Sequence, residues 1–168
     1  MAAPSCSPDR VTELAGYRFV VPVATRDVDF DAQGHLNNAA TVRIFNDLRV
    51  SYVQQAIGSD WVDTLRREGY VVAAREVHVL YESEGFPGEE FVGAMRYLRR
   101  EGKAAVLEEC LVEASTRRVI ARAWVVQLLV QAGSVVEWPE SYFDRVAVIE
   151  GRAMERRNRA NRPFGPGE

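Results

Sequence analysis

Two histidines and two cysteines are all that the 168 residues contain, and that scarcity excludes several kinds of chemistry at once. His35 and His78 cannot supply the several imidazoles of a zinc or iron site. Cys6 and Cys110 are too few and too far apart for a disulfide framework or a thiolate metal centre, and a cytoplasmic location is the expectation. No apolar run approaches the roughly 20 residues needed to cross a bilayer. The opening MAAPSCSPDR lacks the basic-then-apolar order of a secretory leader. No Gly-x-Gly-x-x-Gly or P-loop glycine pattern follows a strand-like run, and no Gly-x-Ser-x-Gly elbow is present. Excess positive charge is missing too: the net charge is -3 and the pI near 5.5, unlike a dedicated nucleic-acid binder. Neither nucleic acid nor a membrane is an expected partner.

What is present reads as one domain of ordinary soluble composition, 47% hydrophobic and 27% charged. Residues 1–15 lack periodicity and are expected to form a flexible arm. Residues 152–168 are Arg-rich and end in Pro and Gly, as a solvated tail does. The domain is expected over 16–151. YRFVVPVAT has strand composition, with Pro22 placing it at an edge or bulge. In AATVRIFNDLRVSYVQQAIG, apolar Val42, Phe45, Leu48, Tyr52 and Ala56 recur every three or four residues. That spacing predicts a long helix, with Asn37 or Asn38 as N-cap and Gly58 as stop. SDWVDTLRREG predicts a second, short helix. The period then drops to two through four long runs separated by GFPGEE, REGK and STRR, which predicts a four-stranded antiparallel meander. PESYFDRVAVIEG predicts a closing helix behind Pro139. A lone long helix must bury its apolar stripe against the sheet, so the expected class is α+β, with a curved antiparallel sheet wrapping a central helix.

The stretch DVDFDAQGHLNNA places Asp27, Asp29 and Asp31 on alternate residues. An EF-hand calcium loop opens this way but needs Gly at its sixth position and Glu at its twelfth; Ala32 and Asn38 stand there. What remains is a carboxylate just ahead of a helix N-terminus. The free N–H groups of a first helical turn polarise a carbonyl and stabilise an oxyanion. Asp31, a few residues upstream, could attack that carbonyl or activate water against it. The alternative on residues alone is that Asp29 and Asp31 only make turns and caps, with Gly34 supplying a positive φ.

DFDAQGHLNNAATVRIFNDLR resembles the signature of the 4-hydroxybenzoyl-CoA thioesterase-like group of the hotdog superfamily, an Asp-x-x-Gly-His-x-Asn-Asn stretch leading into the central helix. AREVHVLYESEGFPGEEF, RVIARAWVVQLLV and WPESYFDRVAVIEG resemble the family's later strands and terminal helix, in the same order over about 17–151. The resemblance implies a single hotdog domain, a homodimer or dimer of dimers, and hydrolysis of an acyl-CoA or acyl-carrier-protein thioester without metal or cofactor. By position it implies Asp31 as nucleophile or general base and the Asn38 N–H as the group polarising the carbonyl. His35 and Asn37 would shape the site, and Gly34 would let the backbone approach. Thr41 stands where relatives carry an aromatic residue, which would alter the acyl pocket.

The phosphates of CoA call for a basic rim. Arg75, Arg96, Arg99, Arg100 and Lys103 are its candidates, although each is also an ordinary exposed sheet residue. Met95, Cys110 and Trp124 are expected to pack the sheet against the helix. Two other functions fit the same residues: a hotdog hydratase or dehydratase using His35 with Asp31, and a non-catalytic acyl-CoA binder.

Overall fold

A computed structural model describes residues 12–157. The alternating runs form β2 (Tyr70–Tyr81), β3 (Phe91–Glu101), β4 (Ala104–Glu113) and β5 (Val119–Gln131), preceded by β1 (Phe19–Val23) and followed by short β6 (Ser134–Val136) and β7 (Arg156–Arg157). The sheet order is β1-β3-β4-β5-β2. The expected meander therefore holds for β3, β4 and β5 but fails at β2, which crosses over to pair with β5, Tyr81 opposite Ala121 and Tyr70 opposite Gln131. GFPGEE is the crossover rather than a hairpin turn. Alternation decides which face a residue takes, not which strand lies beside it. β1 is the other edge, which accommodates Pro22. β6 and β7 have no counterpart in the sequence reading; β7 pairs parallel to the end of β3.

The helix α1 (Asn38–Ser51) continues through a wider turn, Tyr52–Ile57, in which the Gly58 N–H reaches back to the Val53 carbonyl at 2.9 Å. Gly58, at φ 116°, ends it. The stripe it buries is Ala40, Thr41, Ile44, Phe45, Leu48, Arg49 and Tyr52, while Val42 is exposed. Phe45, Leu48 and Tyr52 are buried as expected and Ala56 packs against the core, whereas Val42 faces outward with Asn46 and Val50. α1 packs on one face of the sheet against Phe91, Met95, Leu107, Leu111 and Val125. Cys110 lies on the opposite face with Leu14, Tyr17 and Ala94, and Trp124 pairs there edge-on with His78. Both were expected on the helix side; strand parity sends them outward, and only Met95 faces α1.

α2 (Ser59–Arg67) and α3 (Glu140–Glu150) complete the layer, with Trp61, Trp138, Tyr142 and Phe143 packed together. Leu14 and Tyr17 show that the chain from Thr12 onward is docked; the rest of the expected arm, and residues 158–168 of the basic tail, lie outside the described residues. Among the described residues, no helix is long and apolar enough to cross a membrane.

Candidate active site

The loop that enters α1 is set by two aspartates with opposite environments. Asp29 is buried, 2% exposed, and clamps Arg26 at 2.9 Å and Arg43 of α1 at 2.8 Å. The Arg26 side chain, followed by its backbone N–H and the Arg43 charge, holds this carboxyl below the usual aspartate range against its desolvation. Its own carbonyl accepts the Asn37 N–H at 2.9 Å. Asp29 thus ties the loop to the helix at both backbone and side chain.

Asp31 is exposed. A bridge between Phe30 and Leu36, with the Asp31 N–H donating to the His35 carbonyl at 2.9 Å, folds the chain back on itself. The Asp31 Oδ1 accepts the N–H of Gln33 at 2.8 Å and of His35 at 3.1 Å, leaving Oδ2 without a partner among the described residues. The His35 N–H above all, assisted by that of Gln33, holds the Asp31 carboxyl below its ordinary value. It is a carboxylate at neutral pH. Gly34 occupies the left-handed region at φ 80°, with nothing within 4 Å of a would-be Cβ. The turn requires glycine for its conformation, not for space.

Asn37 is the N-cap, its Oδ1 accepting the Ala40 N–H at 2.7 Å. Asn38 is therefore the first helical residue, and its N–H has no acceptor among the described residues, as the first-turn geometry dictates. Asp31, His35, Asn37 and Asn38 line one cleft of about 680 Å³. Its far wall is the end of β2 and the start of the crossover, Tyr81, Ser83 and Glu84. The Tyr81 hydroxyl donates to the Asn38 carbonyl at 3.4 Å, and the Leu36 N–H donates to the Gly85 carbonyl at 2.8 Å. A Cβ on Gly85 would meet the Phe91 ring at 3.1 Å, so glycine lets this wall close on the loop. His35 sits with Nδ1 3.4 Å from Glu84 and edge-on to Phe86. Tyr81, Ser83 and Glu84 escaped the sequence reading because only the crossover of β2 brings them to the helix.

The other candidates stand apart. Thr41 is buried on the core side of α1, its hydroxyl donating to the Asn37 carbonyl at 3.2 Å, so it braces the first turn rather than lining the cleft. Arg75 forms a bulge in edge strand β2 and contacts Glu76 at 3.3 Å. Arg96 lies over the Tyr17 ring and holds Glu108 at 2.6 Å; Arg99 holds Glu101 at 2.6 Å. Lys103 donates to the Val135 carbonyl at 2.9 Å. Arg100 is buried, fastening α3 through Glu140 at 2.6 Å. None of the five lines the cleft within one chain.

Residues 23–146 match the model of the thioesterase-like superfamily. Among solved structures, a thioesterase from Thermus thermophilus, complexed with coenzyme A and zinc, is similar at 23% identity with a TM-score of 0.71, over 82% of this chain and 98% of that one. Slr0204, a 1,4-dihydroxy-2-naphthoyl-CoA thioesterase from Synechocystis, is similar at 9% identity and a TM-score of 0.69, over 77% and 95%. YbaW, a probable thioesterase from Escherichia coli, is similar at 12% identity and a TM-score of 0.66, over 76% and 95%. No curated protein matches the sequence significantly. The helix wrapped by its sheet is the hotdog fold of these structures.

Proposed function

Because this chain belongs to the thioesterase-like superfamily, we propose that it hydrolyses an acyl-CoA thioester with Asp31 and the Asn38 N–H as its working groups. One observation carries the reading: an ionised carboxylate with a free oxygen shares a cleft with the unpartnered first N–H of a 14-residue helix. The thioester carbonyl oxygen accepts the Asn38 N–H, where the positive end of the helix supports the charge that develops on it. Asp31 takes a proton from water as the water oxygen bonds to the carbonyl carbon. The tetrahedral intermediate collapses, the C–S bond breaks, and the thiolate leaves with the proton that Asp31 held. Direct attack by Asp31, through an anhydride that water then opens, uses the same groups; labelled-oxygen incorporation into the enzyme in a single turnover separates the two routes. His35 and Asn37 act through the loop, His35 by its N–H to Asp31 and Asn37 as the cap.

A second copy belongs to this reading. β2 is a terminal strand with apolar Val71 and Val77 exposed on it, and an edge of that kind is completed by another strand. A homodimer through β2 brings Arg75 next to the second copy, where a CoA phosphate would meet it. The decisive measurement is thiol release from a panel of acyl-CoA and aryl-CoA substrates by the wild type and Asp31→Asn. The amide introduced by that substitution would keep an Oδ1 for the two loop N–H groups while removing the base. Hydrolysis by the wild type and its loss in the variant are expected; equal rates on every substrate overturn the assignment. Since Asp31 titrates below the usual aspartate range, the acid limb of the pH profile should lie there as well.

A further inference from the structure

The turn that carries Asp31 has few ties to the rest of the molecule. Asp31, Ala32 and Gln33 are exposed, and the hydrogen bonds of residues 31–35 close on the turn itself. Among the described residues, His35 is the one in that stretch whose side chain makes an ion pair or ring contact with another segment. Its Nδ1 lies 3.4 Å from Oε1 of Glu84, and its ring meets the Phe86 ring edge-on, with centroids 5.3 Å apart. The same residue holds the carboxylate from its backbone. The His35 N–H donates to Asp31 Oδ1 at 3.1 Å, and the His35 carbonyl accepts the Asp31 N–H at 2.9 Å. Whatever steadies the His35 ring therefore steadies Asp31 at both its N–H and its carboxylate.

The segment that supplies Glu84 and Phe86 is itself firmly seated. Glu82 and Ser83 donate their N–H groups to the Ile120 carbonyl at 2.9 and 3.3 Å. Arg118 donates to the Glu84 carbonyl, the Gly85 carbonyl accepts the Leu36 N–H at 2.8 Å, and the Phe86 N–H donates to Glu89 at 2.9 Å. Every residue from Glu82 to Phe86 thus has a backbone bond. Of the two acids that this wall turns to the cleft, Glu82 is taken up by Arg122 at 2.9 Å. Glu84 has no Lys or Arg partner for its side chain among the described residues, and His35 is the group it faces. With the Glu84 side chain 60% exposed, the pair adds little to stability. What the fixed backbone gives it is a defined direction.

We propose that Glu84 is a positioning residue for the reaction in this cleft: through the His35 ring it holds the Asp31 carboxylate in its working place. The reaction itself is that of the hydrolase reading above, on which this assignment rests. A reacting group displaced by about an ångström loses much of its rate, and an exposed turn with one side-chain anchor is free to shift once that anchor goes.

The test is a double-mutant cycle read in kcat, with thiol release as the assay. Glu84→Leu should lower kcat on the order of tenfold, with KM and melting temperature nearly unchanged. Glu84→Gln keeps an oxygen facing Nδ1 and should restore most of the loss. His35→Ala should lower kcat as well, and adding Glu84→Leu to it should cost nothing further. A kcat that Glu84→Leu leaves alone, a fall accounted for by lost folded protein, a glutamine no better than leucine, or losses that multiply in the double variant overturns the assignment while the hydrolase reading stands. If the wild type cleaves no thioester, the hydrolase reading fails, and the backbone amide resonances of Asp31 and His35 decide the coupling. Their displacement by Glu84→Leu in the wild type, but not in His35→Ala, upholds it; any other pattern overturns both.

Discussion

At the N-terminal end of α1, Asp31 is exposed with one oxygen unpartnered, and the Asn38 N–H opens into a cleft. At the other end, Tyr52 donates to Glu150 at 3.0 Å, Glu150 also accepts the Tyr97 N–H at 2.9 Å, and Tyr97, Tyr142 and Gln127 continue the chain of contacts away from water. One helix therefore carries groups held open and groups held closed. The first arrangement leaves capacity for a reacting molecule, whereas the second joins α1, β3 and α3 through buried bonds that are costly to leave unmade. Chemistry and stability should accordingly separate along the helix axis.

The sharpest break comes from Asp31→Asn, expected to lower kcat by about 10²–10⁴-fold while leaving the melting temperature almost unchanged, as followed by thiol release and calorimetry. Glu150→Leu should do the reverse. It strands the Tyr52 hydroxyl and the Tyr97 N–H in the core and costs about 2–5 kcal/mol in urea unfolding, with hydrolysis per folded molecule retained.

Glu109 probes the same contrast by pH. Burial pushes its carboxyl up to about 8, against the pull of Arg49. A raised folded-state value means the native protein holds a proton that the unfolded chain releases. Its contribution is complete below about pH 4.5 and is lost as the pH climbs through about 8. Glu109→Gln should flatten that decline in unfolding measured across the interval. The smallest effect is expected at Gly34→Ala, about 1 kcal/mol from the positive φ alone, with a modest fall in activity as the Asp31 turn shifts.

Much of this was legible in order and spacing. The long helix, its cap at Asn37 or Asn38 and its Gly58 stop, the four long strands and the closing α3 follow from local rules, as does the juxtaposition of Asp31 with a helix start. Pairing was not legible. A short connection after β2 argued for a hairpin, yet the chain crosses the sheet to β3 and β2 lies beside β5, because hydrogen-bonding partners are set by what the whole sheet can cover. Asp29 and Asp31 look alike in the sequence; one is a buried clamp and the other an exposed carboxylate, and only Arg26 and Arg43 closing over Asp29 distinguishes them. The basic residues were visible as charges, but not that nearby acids and, at Lys103, a backbone carbonyl engage them.

By itself, the sequence determined the local structure on either side of the site: a glycine turn, an asparagine cap and a helix whose first N–H groups must point outward, since backbone geometry leaves them no acceptor. Tertiary structure alone decided what faces them. The crossover that sets Tyr81 and Ser83 opposite Asn38 and Glu84 beside His35 depends on contacts between distant segments. Such contacts are chosen by burial over the whole molecule, which no short stretch of residues encodes.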